Sequence, residues 1–150
     1  MTVSLAGDEQ EVALAEIDAI RASADDAYRE VLDATADAVS SGSVACERVA
    51  DELDRILVLG LQTGRIRAVY GPGGEQAALK AFRKLPTGKG LTESAKAVNE
   101  ALATLAGRTL DQISIAATGP GTFTLSLVAG GADLSVRLDR QGARLVSVGV

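Results

Sequence analysis

Two glycine-containing segments come closest to ligand chemistry. Gly71-Pro72-Gly73-Gly74 runs into a helical pattern that starts at about Glu75, and backbone N–H groups at a helix N-terminus can cradle an anion. With positive charge from Arg67 and Lys89, the residues Gly73, Gly74, Arg67 and Lys89 form a candidate site for a phosphorylated small molecule. The spacing is not a dinucleotide fingerprint. Counted from Gly71 it reads G-P-G-G-E-Q, and a turn between two elements accounts for the glycines without any ligand. Pro86 to Thr92 departs from a P-loop twice, with Arg83 in the place of the first glycine and Gly90 in that of the magnesium-binding hydroxyl. It reads as an interhelical loop.

Other constellations fare no better. Glu30-x-x-Asp33 and Asp51-x-x-Asp54 are acidic pairs of the kind that can hold Mg²⁺ from facing helices. Their heptad positions point to water, so a solvated acidic face is expected. Cys46 falls in the first turn of a helix with Glu47 adjacent and no base in sight, which suits a half-buried structural thiol. The chain has no histidine, which excludes Ser-His and Cys-His catalysis and histidine-dependent zinc sites. No catalytic set, cofactor or metal is expected.

The elements that would position these residues follow from length, charge and periodicity. At 150 residues the expectation is one α+β domain, helical over about 8–107 and a β-meander over about 110–150. Aromatics make up 3% of the chain, so the core must be built from Leu, Val, Ile and Ala. No apolar run reaches the roughly 18 residues of a membrane span, and residues 1–10 lack the pattern of a secretory signal. A single cysteine fits a reducing, cytoplasmic setting. The preference for Ala, Gly, Val, Asp and Arg fits a GC-rich, bacterial coding sequence. Charge is uneven: net −10 over residues 1–64, +5 over 65–96 and zero over 97–150. The overall −5 opposes nucleic-acid binding, and the basic stretch has an acidic counterpart within the same chain.

Asp8 and Glu11 suggest a capping box for a first helix of about thirty residues. Ala13, Ile17, Ile20, Ala24, Ala27, Val31, Ala34 and Ala38 form its unbroken apolar seam, with Asp25 and Arg29 paired outside. Ser40 to Ser43 ends it. A second helix then carries Ala45, Val49, Leu53 and Ile56 inward, with Asp51 and Arg55 paired outside; Ile56 to Leu61 reads as its buried last turn or as a strand, with the helix preferred and Gly64 as its stop. Residues 65–70 read as either a strand or a helical turn. A third helix places Ala78, Phe82 and Leu85 inward, and Thr92 caps a fourth bearing Ala95, Val98, Leu102 and Leu105. From Leu110 the period becomes 2, broken by Gly119-Pro120-Gly121, Gly130-Gly131 and Gln141-Gly142, which predicts three to four antiparallel strands. One strand face should meet the helices and the other present Ser, Thr and Arg, with the last run, 143–150, shielded on both faces.

Protein–protein interaction or assembly comes first among the functional readings. Ala27, Val31, Ala34 and Ala38 are its candidate interface, and the partner is a second copy or another protein. A phosphorylated ligand at Gly71–Gly74 is the alternative, and a nucleic-acid contact through residues 65–96 ranks last.

Overall fold

The structure is a computed structural model that describes residues 2–149. It is an α+β chain in two compact units, Met1–Lys89 and Gly90–Val150, with the boundary inside a helix. Strand β1 (Val3–Ser4) precedes helices α1 (Asp8–Arg21) and α2 (Asp26–Ser40). Strand β2 (Ser43–Val44), α3 (Glu47–Gln62), α4 (Arg65–Lys84) and α5 (Pro86–Ala103) follow. Strands β3 (Gln112–Gly119), β4 (Thr122–Ala129), β5 (Ala132–Asp139) and β6 (Gly142–Gly149) complete the chain.

In the first unit, α1, α2, α3 and α4 enclose an aliphatic core that includes Ile17, Leu32, Leu53, Leu57 and Ile66. The short antiparallel pair β1–β2, with Val3 opposite Val44, was not anticipated from sequence. The expected thirty-residue first helix is two helices. The Asp25 side chain accepts the Tyr28 N–H at 2.8 Å, so it starts α2 as an N-cap instead of pairing with Arg29 across a continuous helix. Asp8 does not cap α1 either: Gly7 holds the cap position and makes no side-chain bond. On α3, Arg55 pairs with Glu52 at 2.7 Å, not with Asp51.

Residues 56–70 are helical on both sides of Gly64, whose φ of 74° ends α3 in the left-handed conformation. Helix α4 kinks at Gly71, where φ is also 74° and Pro72 restarts the helix. Residues 86–91, expected as a loop, are the first turns of α5. Pro86 suits the first helical position, and extended Leu85 gives its carbonyl to the Lys89 N–H at 2.9 Å.

In the second unit, β3, β4, β5 and β6 form a four-stranded antiparallel meander in sequence order. Its apolar face packs Leu127, Leu134 and Val136 against Val98, Ala101, Leu102 and Leu105. Ala95, expected on that stripe, is exposed.

Candidate functional site

A cleft of about 390 Å³ opens in the first unit between α1 and the kink of α4. Asp8, Glu11, Val12 and Ala15 line one side, and Tyr70, Gly73, Gly74 and Ala77 the other. Two of the four candidate ligand residues, Gly73 and Gly74, are therefore on a cleft wall. Arg67 and Lys89 are not among its lining. Arg67 is held by Glu75 at 3.1 Å, and Lys89 belongs to the first turns of α5. The charges facing the cleft are the carboxylates of Asp8 and Glu11, which repel a phosphate. Gly74 also has a packing reason to lack a side chain: its Cβ would stand 2.3 Å from the Tyr70 Cβ.

Three polar clusters that sequence spacing does not reveal lie in the same unit, the first of them reaching the cleft through Tyr70. Glu16 on α1 is buried and paired with Arg65 at the start of α4. Burial raises the Tyr70 phenol above its ordinary value, and the hydrogen bond and charge of Glu16 add to the rise. The Tyr28 hydroxyl donates to Glu52 at 2.5 Å and accepts from Arg55 at 2.9 Å, and the Arg55 guanidinium sits 5.5 Å from the ring centre. Burial, then Glu52, raises this phenol too. Asp54, expected in water, is buried. It accepts the Thr87 N–H at 3.0 Å and the Thr87 hydroxyl, capping α5 from 33 residues upstream. Its Oδ1 is buried with no hydrogen-bond partner among the described residues.

These clusters hold helices together. A raised phenol pKa stabilises the neutral form, the opposite of what an activated tyrosine nucleophile or base requires. Below about pH 10 both phenols are neutral in the folded and unfolded chain alike. Their raised folded values mean that stability falls as pH climbs from about 10 through those values. With two tyrosines and no tryptophan, ultraviolet titration reads them cleanly. Both should ionise later in the folded protein than in denaturant, and coincident curves would remove these contacts.

No family model, curated protein or solved structure matches this chain. Among the described residues, no group of three or more Cys, Asp or Glu side chains is placed to hold a metal ion. Asp33 is bound to Arg21 at 3.0 Å, Cys46 is exposed at the entry to α3, and Glu30 and Asp51 are exposed. A shallow basic pocket at one end of the meander holds Arg137, Arg140 and Arg144. Asp139 already accepts from two of these, Arg137 at 3.2 Å and Arg144 at 3.0 Å.

The candidate interface residues divide. Val31 and Ala34 line a groove of about 350 Å³ with Thr35, Cys46 and Val49. Ala27 is exposed outside it, and Ala38 packs on the core. The larger uncovered surface is on the sheet. Residues of one face align across the strands as Ile113, Leu127, Leu134 and Val148, then as Ile115, Leu125, Val136 and Leu145. The middle of each row is covered or partly covered. The ends are not: Ile113 is 60% exposed, Ile115 61% and Val148 58%. Phe123 and Leu145 on the same face are exposed as well. A single helix is about 10 Å across, whereas four strands span roughly 15 Å, so α5 leaves both margins open. This corrects the expectations that the inward face of β3 meets the helices and that β6 is shielded on both sides.

Proposed function

We propose that this is a non-enzymatic interaction or assembly protein whose second unit docks through the apolar margins of its sheet. The observation that carries the reading is the exposure of Ile113, Ile115, Phe123, Leu145 and Val148 on one sheet face. Large apolar side chains gathered on one face, beside strands whose other face carries Ser, Thr and Arg, mark a contact surface more than a solvated one. The nucleic-acid reading has less behind it, because cations of the basic stretch are already engaged. Arg65 pairs with Glu16, Arg67 with Glu75, and Lys84 with Glu9 at 2.6 Å. No helix among the described residues is long and apolar enough to cross a membrane. The single, exposed cysteine suits a reducing compartment such as the cytoplasm.

The test is light scattering coupled to size exclusion on the whole chain. Wild type should exceed the 15.3 kDa of one copy as concentration rises. Ile115→Lys with Val148→Lys should return it to that mass, with stability changed by no more than about 0.5 kcal/mol per substitution because both sites are exposed. A wild-type chain that remains monomeric and binds no apolar dye would overturn the reading.

A further inference from the structure

We propose that β3 is the docking edge and that its partner is β3 of a second copy, paired antiparallel so that two four-stranded sheets join into one of eight. The inference deepens the assembly reading and rests on it. Among the described residues, strand β3 pairs in the sheet only with β4, and all eight of its residues are exposed. Its sequence, QISIAATG, contains no charge and no proline, and its one irregularity lies at the far end, between Ala117 and Gly119. Nothing on it guards against pairing. The opposite edge is guarded: β6 carries Arg144 and a register shift opposite Ser135 and Val136. Charges and bulges of this kind are how sheet edges avoid adding strands.

Pairing β3 with itself about a two-fold near Ile115 brings Ile113 and Ile115 of both copies onto one continuous apolar face. It also satisfies the free backbone groups along an edge of about 27 Å. The charges of the meander agree with the antiparallel sense. Asp111 and Asp133 lie at the end where β3 begins, and Arg137, Arg140 and Arg144, with Asp139, at the end where it finishes. Antiparallel pairing sets each copy's acidic end beside the other's basic end. The nearest such charges, Asp111 of one copy and Arg137 of the other, are three strand spacings apart, roughly 14 Å, which is beyond a Debye length at 0.1 M salt, so they bias the orientation at low salt and do not bond the pair. The strand and its flanking apolar side chains amount to less than a standard interface of about 20–30 residues a side, so the dimer should be concentration-dependent.

The experiment is a scan of single cysteines at positions 113 to 117 in a Cys46→Ser background, oxidised at a concentration where the chain associates. Val148→Cys serves as the comparison. Residues directly opposite in antiparallel strands have Cβ atoms roughly 4.5–5.5 Å apart, close enough to cross-link. A maximum at one position near 115, falling on either side, is the expected result. An oligomer that cross-links at Val148→Cys but shows a flat profile along β3 overturns the pairing and leaves the assembly reading standing. A chain that never exceeds the mass of one copy overturns the pairing, and one that also binds no apolar dye overturns the assembly reading with it.

Discussion

Gly88→Ala is expected to destabilise the first unit by about 3 kcal/mol or more, although alanine is the better helix former. Gly88 is buried near the start of α5. An added Cβ would lie 2.1 Å from the Phe82 carbonyl oxygen, 2.7 Å from its carbon and 2.8 Å from the Arg83 Cα. All three are backbone atoms, so no side chain can swing aside. The Phe82 carbonyl is also fixed by the Leu85 N–H at 3.0 Å, which closes the last turn of α4. Relief requires moving α4 against α5 and disturbing the buried Asp54–Thr87 cap. The propensity gain of about 1 kcal/mol cannot offset that. Gly90 supplies the control on the same helix: it has no atom within 4 Å of its would-be Cβ and no positive φ. Gly90→Ala should stabilise by roughly 0.5–1 kcal/mol. Urea unfolding of both variants decides the matter, and a Gly88→Ala chain as stable as wild type would show that the α4–α5 junction is looser than described.

That glycine also marks a limit of the sequence. The strands of the meander were legible because period-2 alternation and two-residue glycine turns are local signals, and β3 to β6 fall where those signals place them. The end of α3 was legible only in part: Gly64 marked the stop, but the continuous apolar run from Ile56 to Leu61 suits a buried helical turn and a strand alike. The turns at 86–91 were not. Gly88 and Gly90 read locally as loop residues, while the carboxylate that starts α5 comes from Asp54, and the contact that demands glycine at 88 comes from α4. The break between α1 and α2 was hidden by a heptad seam that continues through it. Its cause, Asp25 turning its side chain to the Tyr28 N–H, competes with helix continuation without altering the apolar pattern. Of the candidate sites, Gly73 and Gly74 reached a cleft and Val31 and Ala34 a groove. The exposed sheet margins stayed out of sight because alternation identifies the apolar face of a strand and says nothing of the width of the helix that covers it.

The pair Glu16–Arg65 gives the other large effect, and its two halves should be unequal. Glu16 is 2% exposed and the Arg65 side chain 42%. Removing the acid leaves a guanidinium that water can still reach, and Glu16→Gln keeps an acceptor for it, so the cost should be about 1–2 kcal/mol. Removing the base by Arg65→Met leaves a buried carboxylate with its counter-charge gone and the Tyr70 hydroxyl as a neutral partner. A Cβ at Gly60 would stand only 2.9 Å from Glu16 Oε2 and 2.6 Å from Ile66 Cδ1, which measures how closely α3 is pressed against this site. Breaking a buried pair from that side costs about 3–5 kcal/mol. The same asymmetry fixes the sign of the double variant. With Glu16→Met added to Arg65→Met, both charges are gone and the half-buried Tyr70 hydroxyl can turn to water, so stability should recover much of what Arg65→Met alone removed. A double-mutant cycle read by denaturant unfolding distinguishes this from a merely additive surface pair. Equal losses for Arg65→Met and Glu16→Gln, or a double variant worse than Arg65→Met, would mean that Glu16 reaches solvent and that its pairing with Arg65 contributes little to joining α1 and α4.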